Sequence, residues 1–285
     1  MTLHLIKILP KICQLNTNQI NKIYFETSKQ FIKHNNYNLK LFSSALFYKM
    51  PFGGSNVKSP LDTSLEKLYE MRMYKVEPQH MKKFIQITTD NMPIRVKYSK
   101  LLGYWFTEFG TLNRVIHLWE YDSYQQRSQV RDSLSKDEQW LKFLNVMKPL
   151  LKKEKNISLR KLSDLICYDT PPNQPGNVHY RLNVFVLKEP HEANACKFKE
   201  LADRIFKELA DDKIDSFQHI GTFIADSGKM NQIIQYVRCS NLDDAALHKK
   251  FCENKELQNL RSEIEKIAVL GNSQILKPAP FSPLK

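Results

Sequence analysis

At 285 residues, with 42% hydrophobic and 11% aromatic side chains, the chain has the apolar mass for about two domains with packed cores, which excludes a disordered polypeptide. Its net charge of +13 is not a nucleic-acid signature: residues 1–60 alone contribute +7, and the remaining +6 is spread over 225 residues without a basic block or groove-reading motif. Five widely spaced cysteines with no Cys-x-x-Cys pair exclude a disulfide framework and a zinc site, and no run reaches the roughly eighteen apolar residues of a membrane span.

Residues 1–60 hold eight lysines, no arginine and one acid, Glu26. Leu3, Leu5, Ile6, Ile8 and Leu9 intersperse with Lys7 and Lys11, and long Asn- and Lys-rich stretches follow. This acid-poor, basic and hydroxyl-containing composition is that of a mitochondrial transit peptide, although such leaders are usually Arg-rich. Pro51 through Pro60 has linker chemistry, so the leader and linker span 1–64 and the folded part starts near Leu65.

Leu68–Val76 then reads as a strand, and Glu77-Pro78 opens a helix with Met81, Phe84, Ile85 and Thr88 at helical spacing, which Pro93 is expected to kink or end. Two strands, Lys100–Thr107 and Arg114–Tyr121, are joined through Gly110. Ser123 with Gln126 caps one longer helix carrying Val130 and Leu134, and a strand over Ile157–Leu162 closes the unit, bounded at 65–166. A Pro-rich linker, 167–178, follows. The second unit, 179–285, repeats the order: strand His179–Leu187, a helix opened by Glu189-Pro190, strands Gln218–Ala225 and Gln232–Cys239, a helix after Asp243-Asp244, and strand Gln274–Lys277.

The two units share residues at one register. Shifting by 118 positions superimposes Gly103 on Gly221, Gly110 on Gly228 and Asn113 on Asn231, in a chain with only 8 glycines. The expected fold class is therefore α+β: two tandem ferredoxin-like βαββαβ units. Each sheet would leave one apolar face open, and the two faces can cover each other within one chain as a pseudo-dimeric α+β barrel.

The first unit carries a family pattern. Tyr69-Glu70-Met71-Arg72-Met73-Tyr74, Gly103-Tyr104-Trp105, Glu108 through Asn113, and His117-Leu118-Trp119-Glu120-Tyr121-Asp122-Ser123 resemble the NipSnap family, and Arg127 and Val130-Arg131 continue the match. The second unit matches weakly. The resemblance implies the dimeric α+β-barrel superfamily fold, a mitochondrial address in the matrix or on the surface, and a non-catalytic adaptor role. That role lies in mitochondrial quality control, marking damaged mitochondria for autophagy, or in vesicle-related traffic. The implied partners are other proteins, such as autophagy receptors. It supplies no catalytic residue set and no cofactor.

Strand alternation puts His117, Trp119 and Tyr121 on one face, and Glu70, Arg72 and Tyr74 on one face of the first strand. These strands are central neighbours in a split βαβ sheet, so the six residues are expected to line the barrel interior, as a satisfied polar core or as a small-molecule site. In the second unit Gln235 and Val237 replace His117 and Trp119. Leu182 and Val184 replace Glu70 and Arg72 when the Glu-Pro dipeptides are aligned. Other members of the superfamily bind haem or oxidise aromatics, which is the rival function, but the histidines show no ligand spacing, so neither metal nor cofactor is expected. Arg127 and Arg131, four apart on a helix, are a candidate surface for an acidic partner. Phe206-Lys207-Glu208-Leu209 matches a loose autophagy-ligand pattern by chance, because Leu209 belongs to the helix core. Self-association through outer strands stays open.

Overall fold

A computed structural model describes residues 67–163, 178–211 and 216–284. The leader and the Pro171–Gly176 segment lie outside them. The first repeat consists of β1 (Leu68–Val76), α1 (Met81–Val96), β2 (Lys100–Phe109), β3 (Arg114–Tyr121), α2 (Tyr124–Leu134), α3 (Glu138–Met147) and β4 (Leu151–Lys161). The second follows with β5 (His179–Leu187), α4 (Glu192–Asp211), β6 (Phe217–Ala225), β7 (Gln232–Cys239), α5 (Ala245–Glu253), α6 (Lys255–Ile267) and β8 (Ala268–Pro278).

In both repeats the expected long second helix is two helices. Asp137 accepts from the Trp140 backbone N–H at 3.0 Å and restarts the helix as α3; Asn254 does the same for Leu257 at 3.1 Å. Pro93 does not end α1. Phe84, Thr88, Met92 and Arg95 form one buried stripe, and that packing carries the helix through to Val96. The closing strands β4 and β8 are longer than expected, at 11 residues each.

The strands form one closed barrel in the order β1-β3-β2-β8-β5-β7-β6-β4. Within each repeat the order is that of a ferredoxin-like sheet, and the repeats join edge to edge where β2 pairs with β8 and β4 with β6. The fold is the α+β barrel expected from the tandem pattern, and closure leaves neither sheet an open edge. The 118-residue register has a structural cause. β2 and β6 carry a register shift at the same place, between Leu101 and Gly103 and between His219 and Gly221. At Gly103 an added Cβ would lie 2.1 Å from the buried Trp105 ring, so any side chain there would force the indole to move. Gly110 and Gly228 occupy the two equivalent turns with φ of 105° and 77°.

The barrel interior is apolar and shared. Trp105 stacks on Tyr236 at 5.1 Å, Tyr69 meets Phe223 edge-on at 5.1 Å, and the Tyr236 hydroxyl donates to the Met71 sulfur at 3.1 Å. Each of these contacts crosses from one repeat to the other. The helices pack outside, α1–α3 on the first sheet and α4 and α6 on the second. Among the described residues no helix is long and apolar enough to cross a membrane.

Candidate functional site

Glu70, Arg72, Tyr74, His117, Trp119 and Tyr121 do share one face, but it is the outer one. The interior is filled by Met71, Ile116, Leu118 and their counterparts from the second repeat, while Tyr74, Trp119 and Tyr121 pack with Phe84, Val130 and Phe143 of the covering helices. The expected barrel-lining placement is therefore corrected. Both faces of this sheet are buried, so alternation alone could not choose between them. Volume decides: Trp105, Tyr180, Tyr236 and Phe223 fill the interior and leave no room there for a solvated ion pair.

Glu70 is the centre of a buried polar network. It is 2% exposed, and its Oε1 accepts from Arg127 at 2.7 Å and from Asn156 at 2.9 Å. Tyr121 donates to Oε2 at 3.3 Å, and the Arg72 guanidinium lies 3.7 Å away. Burial alone would raise the Glu70 pKa. The Arg127 hydrogen bond, the Arg72 charge and the Asn156 amide outweigh it and lower the value to about 2. Tyr121 in turn accepts from Arg95 at 2.8 Å, and the Arg95 guanidinium lies over the Trp119 ring at 4.1 Å. Arg95 contacts no carboxylate within salt-bridge distance among the described residues, and burial pushes its pKa down.

His117 sits beside this network, 4% exposed, stacked on Tyr104 and edge-on to Tyr74, each at 4.8 Å. The Trp119 indole N–H donates to its Nδ1 at 2.6 Å. Indole only donates, so Nδ1 is the acceptor and the proton of the neutral ring is on Nε2. Burial, reinforced by the Arg72 charge, holds the His117 pKa well below its ordinary value, so the ring is neutral. Its Nε2 has no partner among the described residues, nor has the Nε of Arg72. An unmet buried donor of this kind costs about 1–3 kcal/mol. His117 and Arg72 face each other directly on paired strands and line a cavity of about 350 Å³ between the sheet and α1–α3. Its walls include Phe84, Trp119, Trp140 and Phe143, with Arg131, Lys148 and Glu154 also in the lining.

Residues 69–165, which contain every residue of this network and all eight predicted site residues, match the family model described as NIPSNAP. The first repeat is similar to a NIPSNAP domain. Human NipSnap homolog 3B is 27% identical over 220 residues, 76% of this chain and 85% of the relative. The NipSnap homolog of Dictyostelium discoideum is 31% identical over 120 residues, 42% of this chain and 50% of the relative. A monooxygenase-like protein from Fusobacterium nucleatum superimposes with a TM-score of 0.53 at 12% identity, over 76% of this chain and 94% of that one. At that identity the likeness is one of fold alone.

The first repeat's site is not repeated in the second half. Strand pairing places Arg181 and Asn183, rather than Leu182 and Val184, at the positions of Glu70 and Arg72: Glu70 pairs with Trp119 and Arg72 with His117, as Arg181 pairs with Val237 and Asn183 with Gln235. The Glu-Pro dipeptides are thus one residue out of the strand register. There Asn183 donates to Gln235 at 3.3 Å and accepts from Ser273 at 2.8 Å, a closed amide arrangement in place of the Arg72–His117 pair. Of the candidate surface pair, Arg127 turns inward, because the buried Glu70 carboxylate requires a countercharge, and only Arg131 is exposed, at the cavity. Leu209 is buried, so the Phe206–Leu209 segment does not present its aliphatic position at the surface. Arg95 and Asn156 escaped the sequence. The signal for Arg95 was its position on the Phe84–Thr88–Met92 stripe, where an arginine must be paired or stacked.

Proposed function

We propose that the chain is a NipSnap-type mitochondrial protein that works by binding, as a non-catalytic adaptor in mitochondrial quality control or vesicle-related traffic. What carries the non-catalytic part is the charge state of the site. Glu70 is held ionised, His117 is held neutral, and burial raises the pKa of Tyr74 and Tyr104. General acid–base catalysis wants a group that titrates near the operating pH, and none of these four does. The mitochondrial address rests on the acid-poor leader and the NIPSNAP-like first repeat. The partners it implies are autophagy receptors or related adaptors.

A reporter behind residues 1–64 is expected to enter mitochondria, and replacing Lys7, Lys11 and Lys22 with Glu to abolish entry. Protease protection then separates matrix from surface. Tagged full-length chain, recovered from cells with depolarised mitochondria, is expected to bring autophagy receptors with it. A cytosolic reporter overturns the address; recovery that does not change on depolarisation overturns the adaptor role. The cavity favours a second reading, a small-molecule binder, with a more specific consequence.

A further inference from the structure

The first repeat contains a built cavity that the adaptor reading does not use. Two donors at directly paired positions, His117 Nε2 and Arg72 Nε, are buried without partners, and both residues line it. Side chains opposite each other on antiparallel strands have Cβ atoms only about 5 Å apart, so both residues border the same part of the cavity wall. The wall also holds Arg95, a buried guanidinium that has ring and hydroxyl contacts but no carboxylate partner among the described residues. Arg131 and Lys148 add two more cations to the lining, against one carboxylate, Glu154, which already faces Arg72 at 3.5 Å. Around these polar groups the walls are aromatic, with Trp119, Trp140 and Phe143 among them. A volume of about 350 Å³ is at the small end of the range for ligand pockets.

We propose that this cavity is a binding site for a small aromatic carboxylate, its ring between the aromatic walls and its oxyanion accepting from His117 Nε2 and Arg72 Nε. The head must accept, since neither donor can turn acceptor: guanidinium has no acceptor atom, and the imidazole acceptor is occupied by Trp119. A negative head also supplies the carboxylate that Arg95 lacks among the described residues, whereas a neutral alcohol of the same shape does not. The second repeat offers no equivalent, because Gln235 and Asn183 satisfy each other at the matching positions. The inference goes beyond the adaptor reading, and receptor recovery from cells succeeds or fails independently of it.

The test is calorimetric titration of the full chain with 2-naphthoate and with the neutral 2-naphthalenemethanol. The carboxylate is expected to bind one per chain with a Kd below about 1 mM, at least about tenfold tighter than the alcohol. His117→Phe and Arg95→Met are each expected to weaken it about tenfold, since each removes a group acting on the charged head, while Gln235→Leu leaves it unchanged. In the unsubstituted protein, the His117 Nε2 resonance is expected to move on saturation, a readout that does not depend on any variant folding. No saturable binding, equal affinity for acid and alcohol, or an unmoved Nε2 resonance overturns the proposal.

Discussion

The two outer faces of this barrel are built on the same ladder and differ in how much charge they bury. On the first, Glu70, Arg72, Arg95, Arg127, His117 and Tyr121 place a charged network and a cavity beneath three helices. On the second, Phe185, Phe198, Leu201, Ile233, Leu260 and Ile264 make an apolar layer beneath α4 and α6. The interior does not distinguish them, since both repeats supply it equally. A duplicated unit can thus keep its barrel-closing face in both copies while only one copy retains a polar site. The closing face is constrained by the partner sheet; the outer face is constrained only by its own helices.

The largest effect should come from separating the copies. Expressed alone, residues 65–166 or 179–285 would expose the face carrying Trp105 or Tyr236, at a cost on the order of ten kcal/mol or more, comparable to a domain's whole stability. Each half is expected to aggregate or self-dimerise in sedimentation; two stable monomers would break the pseudo-dimer. Next comes Glu70→Gln, which leaves Arg127 and Arg72 facing a neutral amide and should cost about 3–5 kcal/mol in urea unfolding. Arg181→Gln, at the same ladder position in the second repeat, should cost about 1 kcal/mol. Glu70 also fixes a pH window. Its pKa is lowered from 4.5 to about 2, so its contribution is complete above pH 4.5 and is lost as pH falls from there to 2. Glu70→Gln should lack that acid limb.

The histidines give a smaller, graded comparison. His117 is held well below 6.5 and His219 is lowered to about 4, in both cases first by burial. Below pH 6.5 the unfolded chain takes up protons that these folded rings refuse. Stability should therefore fall with pH, by at most about 1.4 kcal/mol per unit for each ring. His219→Phe should flatten the slope down to about pH 4, and His117→Phe should flatten it below pH 6.5; a slope of opposite sign contradicts both assignments. The turn glycines give the last comparison. Gly228→Ala meets open space and should cost only the left-handed backbone term, about 1–2 kcal/mol, whereas Gly110→Ala adds a Cβ 2.9 Å from the Gln274 side chain and should cost more.

The repeat and its order were legible because the bulge and turn glycines of both copies stand at one offset, and because capping and strand signals are local. The expected faces were half right: alternation identified which residues travel together, but a sheet buried on both sides gives no contrast to say which side meets the partner. Helix breaks at Asp137 and Asn254 were hidden inside continuous apolar periodicity, although each has the cap residue that causes it. The partners of Glu70 lie 57 and 86 positions away, at Arg127 and Asn156, and only closure of the sheet brings them together. The cavity is a property of helix placement, and no local pattern encodes it.

The most direct test of a site with frozen charge states is the protonation of His117, read by long-range nitrogen–proton NMR on the full chain. Trp119 donating to Nδ1 predicts a neutral ring with its proton on Nε2 at pH 7, with no titration at the ordinary value of 6.5. A ring protonated on Nδ1, or one that titrates near 6.5, would contradict it.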